Sequence, residues 1–410
     1  MPDELIIWLY GQRTATIERR PNGRLRLTYT REVLDQYELG TALLSLNLIV
    51  QPEPFSHGTV VPFLDGLLPE EGIRQAVAAE LDVRAKDTFS LIEALGRDSA
   101  GALVILPDGE TPAPSSTERS EPIDESQLRE LVANLPHVPL GIDANVRLSL
   151  AGVQSKLVLC RRVDGGWGRP VGGAPSTHII KPEHPRLPGS VENEAFCMRV
   201  LQHLGCPVAN VDILKLDPIS LLVVERYDRV VHATGEVERI HQEDFCQVLG
   251  LAPDKKYEDA GGPSLRRIAQ TIESVAQPGS REALLRHTVV NVLLGNTDAH
   301  AKNFSLIHDR DGTLRLAPAY DVLSIRPYGF MKVAMRIDKL ELIDRVTIQH
   351  ILNEAVSWGL SRDAAQEVAA DLIQRLPDAV SLASSEIPDA PASVLDALDR
   401  NLTKFRENTA

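Results

Sequence analysis

The chain has 410 residues, 43% of them apolar, enough for cores in two or three domains of roughly 100–200 residues each. Its 43 basic and 57 acidic residues leave a net charge of −14. That excludes a broad, sequence-independent grip on nucleic acid by this chain alone, which needs clustered Lys and Arg against phosphates. No apolar run approaches the ~18 residues of a membrane helix, and MPDELIIWLY lacks a charged-then-apolar signal pattern. Cys160, Cys197, Cys206 and Cys246 form no CxxC pair, so free thiols in a soluble cytoplasmic protein are expected.

Residues 5–10, 14–18 and 24–29 read as short strands, with Asn22-Gly23 a hairpin turn between the last two. EEGIRQAVAAEL and FSLIEALG read as helices, the second closed by Gly96, and the strand ALVILP completes an α/β module over residues 1–107. Residues 108–126 are rich in Pro, Ser, Thr and charge and read as a linker outside any core. Strand-like segments resume at 146–152 (VRLSLAG), 155–162 and 176–181 (STHIIK). A helix is expected over 190–205, with Ser190 as N-cap, Glu192 in the first turn and Gly205 at C′. VDILKL and LLVVERYD follow as strands, so residues 127–230 form a second α/β lobe with its helix after the third strand. Residues 231–410 read as mostly helical, with examples at 281–295, 348–360 and 362–376. The first is apolar nearly all round in its second half and is expected to be buried. The resulting fold class is α+β.

Chemistry enters at NTDAHAKNF, residues 296–304. The D-x-x-x-x-N spacing of Asp298 and Asn303 is that of a phosphoryl-transfer loop, in which the Asp takes a hydroxyl proton and the Asn holds a metal ion. Taken alone, the spacing is weak, and a capped and solvated turn is the better explanation of it. The residues that follow favour the first reading. FSLIHDRDGTLRLAPAYD is a strand, an Asp311-Gly312 turn, a strand, and then Asp321, where a hairpin return would bring a second metal-binding carboxylate. Lys181 ends the third strand of the second lobe, in the position of a lysine for the α/β-phosphates, and Glu194 or Glu192 could orient it, Glu194 lying further inside the helix. Glu225-Arg226-Tyr227-Asp228 reads as a hinge, with the backbone of Glu225 and Tyr227 against adenine and Asp228 on a ribose hydroxyl. SLAGVQSK (149–156) stands between two strands as the phosphate loop, with Lys156 behind it, although it is neither GxGxxG nor a Walker A sequence. His300 could orient Asp298 or meet phosphate, and a zinc site built on it lacks a third nitrogen or sulfur ligand. The histidines at 57, 137, 178, 203, 232 and 241 are scattered without ligand spacing.

RLSLAGVQSK, STHIIKPE, SVENEAFCMRVLQHLG, VVERYDR, HQEDFCQVLGL, KYEDAGGPS, NTDAHAKNFS and LAPAYDVLS together resemble the HipA family of bacterial serine/threonine kinases, as do LLPEEGIR and ALGRDSAGAL in the N-terminal module. The resemblance spans nearly the whole chain in order. It implies a two-lobed kinase-like fold whose C-terminal part is all-helical, with ATP and Mg2+ as cofactors. It makes Asp298 the catalytic base, Asn303 and Asp321 the metal ligands, and Lys181 the ATP lysine. Residues Ala151, Gly152, Val153, Gln154, Ser155 and Lys156 become the phosphate loop, with Glu225, Tyr227 and Asp228 the hinge and His300 a loop histidine. Ser149 matches the serine whose autophosphorylation shuts such kinases off. The implied role is the toxin of a HipBA-type toxin–antitoxin module that phosphorylates an aminoacyl-tRNA synthetase, stalls translation and favours persistence. The implied partner is a HipB-like helix-turn-helix antitoxin that carries most of the contact with operator DNA; no membrane is involved. Two other readings of the residues remain: an aminoglycoside-type small-molecule phosphotransferase, and a non-catalytic corepressor that binds an antitoxin.

Overall fold

The computed structural model describes residues 4–135 and 154–407. The chain forms two compact units, one of residues 1–182, 225–253 and 307–312, the other of residues 183–224, 254–306 and 313–410.

In the first unit a four-stranded sheet runs in the order Leu25–Tyr29, Gln12–Arg19, Glu4–Leu9, Leu103–Pro107. Leu5, Ile7 and Leu9 share one face with Ala15, Ile17, Leu25 and Leu27, all buried; this is the period of two that makes one sheet face a core. The Asn22-Gly23 turn forms as expected, with Gly23 at φ 77° and its N–H donating to Arg20 O at 2.8 Å. Helices His57–Leu67 and Thr88–Leu95 cover the apolar face with Val60, Phe63, Leu64, Phe89, Leu91 and Ile92. Asp87 caps the second of these by accepting from Ser90 N at 3.1 Å.

Gly96 caps the end of that helix at a position with no room for a side chain. A Cβ there would lie 2.7 Å from Ile92 O and 2.8 Å from Ile105 O, both rigid backbone. Gly96→Ala is therefore expected to destabilise the protein by about 1–3 kcal/mol through overpacking. Urea unfolding tests this, and an unchanged midpoint would contradict it.

Residues 108–126 are not the detached linker that their composition suggests. Glu121–Ile123 pairs antiparallel with Trp167–Arg169, which pairs with Leu157–Arg161, and that strand pairs with His178–Pro182. Thr117 N donates to Gly235 O at 2.8 Å, Val237 N donates to Ser115 O at 2.9 Å, and Thr117 and Ser120 are buried. The segment is held by backbone hydrogen bonds rather than by apolar side chains, and composition carries no trace of those. Asp124 then opens the helix Glu125–Asn134 with a capping box to Gln127. The strand expected over 146–152 lies outside the described residues, as do Ser149, Ala151, Gly152 and Val153.

In the second unit, helix Ser190–His203 begins one residue earlier than the expected Ser190 cap implies. Gly189, at φ 73°, takes the N-cap position, and Ser190 Oγ instead accepts from His184 N at 2.8 Å. Gly205, also at φ 73°, ends this helix as a C′ residue. Helix Ser280–Leu294 is buried on nearly all sides of its second half. Helix Arg362–Glu386 continues through Pro377, beyond the end expected at residue 376. Leu372, Leu376, Ala379 and Ala383 keep one stripe buried across the proline, so packing outweighs the lost backbone hydrogen bond. Helix Ala392–Glu407 is the last element described. Helices dominate here, with the short strands Leu314–Leu316, Lys332–Ile337 and Leu340–Leu342 set among them.

All four cysteines are buried and free. Burial pushes the Cys160 and Cys197 thiols up to about 12 and the Cys206 thiol to about 11, so none is a ready thiolate at neutral pH. Among the described residues no helix is long and apolar enough to cross a membrane, and no cluster of three or more His, Cys, Asp or Glu could hold a metal ion.

Candidate functional site

Helix Ser280–Leu294 ends because Gly295 turns left-handed, at φ 75°. Asn296 then folds back on the helix: its N–H donates to Asn291 O at 2.8 Å and its Nδ2 to Asn291 Oδ1 at 2.9 Å. Asn296 Oδ1 accepts from Asp298 N at 3.1 Å. Thr297 is held from another side, donating through Oγ1 to Phe330 O at 3.0 Å and accepting at its carbonyl from Ala334 N at 2.8 Å. Each residue of Asn296-Thr297-Asp298 is thus tied to a buried element, and the carboxylate is presented on a rigid turn rather than a solvated loop.

Past Asp298 the chain tightens into the 3-10 turn Ala301–Asn303. His300 N donates to Asp298 O at 2.7 Å and, more weakly, to Asn303 Oδ1 at 3.3 Å. Ala317 N donates to Ser305 O at 2.8 Å, and Tyr320 Oη contacts Lys302 O at 2.6 Å and Ser305 Oγ at 2.7 Å. This return brings Asp321 to Asn303, whose Nδ2 donates to Asp321 Oδ2 at 3.0 Å. Asp321 sits at φ 58°, a conformation uncommon for residues other than glycine and frequent at functional sites.

One neighbour of Asp298 was not singled out by residue type. Tyr257 Oη donates to Asp298 Oδ1 at 2.9 Å, and the Tyr257 ring stands edge-on to the His300 ring at 5.2 Å and 85°. The signal for it was KYEDAGGPS, a segment that spacing arguments left without a role.

In the other unit, Lys181 lies on His178–Pro182 and is buried. Lys156, also buried, precedes the adjacent strand Leu157–Arg161, whose Leu157 pairs with Ile180. Gln154 Nε2 donates to Pro182 O at 3.1 Å, so Gln154, Ser155, Lys156 and Lys181 sit at neighbouring ends of two paired strands. Glu225 is exposed, and Tyr227 Oη donates to Gln242 Oε1. Glu194 is buried within its helix and Glu192 is half-buried.

Asp228 does not have the surroundings of a ribose ligand. It is only 4% exposed, and both of its oxygens are taken. Oδ1 accepts from Arg226 Nε at 2.9 Å; Oδ2 accepts from Arg226 Nη2 at 2.8 Å and Gly101 N at 2.7 Å and pairs with Arg229 Nη1 at 3.0 Å. Asp98 completes the group, paired with Arg229 Nη2 at 3.0 Å and Arg239 Nη1 at 2.5 Å, while Ser176 Oγ donates to its Oδ2 at 2.5 Å. Burial alone would raise the Asp228 carboxyl, but Arg226 and Arg229 hold it down at about 2. Against the same burial, Arg239, Arg229 and Arg226 hold Asp98 below the ordinary carboxylate range. Asp228 is therefore a buried structural anion that ties the segment after Glu225 to the loop Gly96–Gly101.

The donor set at Asn303 and Asp321 suits a hard cation. A carboxylate and a carboxamide within hydrogen-bond reach of each other supply oxygen ligands, and Mg2+ is usually held by one or two carboxylates together with substrate phosphates rather than by an all-protein cage.

Comparisons with known proteins identify the family. Residues 5–106 match the HipA N-terminal domain and residues 148–380 the HipA-like C-terminal domain. The candidate kinase Y4mE of Sinorhizobium fredii is 39% identical over 362 residues, 86% of this chain and 84% of its own. The serine/threonine-protein kinase toxin HipA of Shewanella oneidensis is 32% identical over 335 residues, 78% of this chain and 76% of its own. The solved complex of Shewanella oneidensis MR-1 HipA, HipB and its operator DNA superposes with a TM-score of 0.84 at 26% identity, covering 98% of this chain and 96% of that one. The chain belongs to the HipA family of serine/threonine-protein kinase toxins.

Proposed function

We propose that this kinase is the toxin of a HipBA-type module and phosphorylates an aminoacyl-tRNA synthetase such as glutamate–tRNA ligase, with loss of tRNA charging, arrest of translation and persistence as the consequence. When bound, ATP supplies the transferred phosphoryl group and Mg2+ neutralises its charge. Asn303 and Asp321 would hold the metal ion. Lys181 would hold the α/β-phosphates, with Glu194 the candidate to orient it and residues 151–156 the candidate phosphate loop. The backbone of Glu225 and Tyr227 would meet adenine. Asp298 takes the proton of the attacking serine or threonine hydroxyl, and His300 fixes the loop that carries it. Autophosphorylation at Ser149 would withdraw the phosphate loop and inactivate the enzyme. A HipB-like antitoxin would be the partner and would supply most of the operator contact, in keeping with the −14 charge of this chain.

The observation that carries this reading is the Asn303–Asp321 contact at 3.0 Å, made by a turn that also presents Asp298. The test uses dephosphorylated protein, labelled ATP and a panel of purified synthetases. Label is expected on one synthetase and on the chain itself, and much less on both with Asp321→Ala at the same Mg2+ concentration. Self-labelling without any synthetase labelling rejects the substrate class. No label anywhere with the wild type rejects the catalytic assignment.

A further inference from the structure

The loop at residues 255–262 is built around a single delivery. Gly261 stands at φ 91°, and a Cβ on Gly262 would lie 2.1 Å from Lys255 O and 2.7 Å from Tyr257 O. Gly262 N donates to Tyr257 O at 2.9 Å and Gly261 N to Glu258 O at 3.1 Å. Only glycine at 262 lets the chain double back this closely. The loop is then clamped from outside. Glu258 Oε2 accepts from Arg336 N at 2.6 Å, Lys332 Nζ contacts Asp259 Oδ2 at 2.8 Å, and Lys256 O accepts from Ala301 N at 3.1 Å. The last of these fastens it to the turn that carries Asp298 and Asn303. What the arrangement holds in place is the Tyr257 phenol, 2.9 Å from Asp298 Oδ1, with the ring edge against His300.

We propose that Tyr257 is a positioning residue for phosphoryl transfer: its phenol fixes the Asp298 carboxylate in one orientation toward the incoming hydroxyl. The inference rests on Asp298 being the base. In the step concerned, the substrate oxygen bonds to the transferred phosphorus, the bond from that phosphorus to the leaving ADP oxygen breaks, and the hydroxyl proton passes to Asp298. A base must lie within hydrogen-bond reach of the proton it takes, and small losses of alignment cost up to about 10²-fold in rate. A tyrosine pays little conformational freedom for this role, having two side-chain torsions and a rigid ring. Phenylalanine would fill the same space and leave Asp298 Oδ1 without this donor.

The experiment compares wild type, Tyr257→Phe, Asp298→Asn and the double variant, all dephosphorylated. It measures ADP release from Mg-ATP, Mg-ADP affinity by calorimetry, and thermal unfolding. Tyr257→Phe is expected to lower kcat by about 10–100-fold, with the KM for ATP and the Mg-ADP affinity within about twofold of wild type and Tm nearly unchanged. The double variant is expected to be no slower than Asp298→Asn, the non-additivity of two residues acting as one unit. Gly262→Ala is expected to reproduce the loss in kcat by displacing the same phenol. The proposal is overturned if Tyr257→Phe retains wild-type kcat, if its loss follows weaker nucleotide binding and a lower Tm, or if the two substitutions are additive. Wild-type turnover in Asp298→Asn would instead overturn the assignment of the base.

Discussion

Asp298→Asn is expected to lower phosphoryl transfer by about 10²–10⁴-fold, the range that a positioned general base contributes. The substitution preserves size and shape. The anchors of the turn stay in place because they run through neighbouring atoms: Asn296 to Asn291, Thr297 to Phe330, and the backbone N–H of residue 298 to Asn296 Oδ1. Nucleotide affinity should therefore change little while kcat falls, as expected of an interaction realised in the transition state. Asp321→Ala makes a useful contrast, since it removes the carboxylate that accepts from Asn303 and should raise the Mg2+ concentration needed for half-maximal rate. Initial rates over an Mg2+ series, run on both variants, separate the two roles. Equal Mg2+ dependence in wild type and Asp321→Ala would count against the metal assignment.

Asp228→Ala is expected to destabilise the protein by about 3–5 kcal/mol, because removing one partner of a buried ion group leaves uncompensated charge. Arg226 and Arg229 would keep their positions, each about 1–2% exposed at the side chain, with only Asp98 to balance them and Arg239. Denaturant unfolding measures this, and a change below about 1 kcal/mol would show that the arginines find water. The same group sets an acid limit. The Asp228 carboxyl lies at about 2 in the folded protein against an ordinary value of 3.8. A depressed carboxylate stabilises the fold above its unfolded value and loses that contribution as pH falls through the folded one. Wild-type stability should therefore drop between about pH 4 and pH 2, and Asp228→Asn should show a shallower drop across that window.

The misreading of Asp228 shows where residue patterns stop. In sequence, Glu225-Arg226-Tyr227-Asp228-Arg229 is a run of charges after an apolar strand, which ordinarily means exposed chain. Its partners Ser99 and Gly101 are more than a hundred residues away, and nothing local announces that the charges are buried against one another. Tyr257 was hidden for the same reason, since 41 residues separate it from Asp298. Residues 108–126 look like a linker because composition reports apolar burial and is blind to backbone pairing.

Residue order alone carried the elements with strong periodicity or punctuation: the first hairpin with its Asn22-Gly23 turn, the buried helix stopped by Gly295, and the strand–turn–strand between Asn303 and Asp321. These are short-range consequences of side-chain alternation, backbone freedom and turn chemistry. It also put Asn303 and Asp321 at the two ends of that strand–turn–strand, where the return of the chain joins them. Which polar groups meet was settled only by folding in space. Asp228 became a structural anion and Tyr257 a partner of Asp298 because long-range packing decides what each side chain faces, and a buried polar group must find its counterpart wherever the chain has brought one.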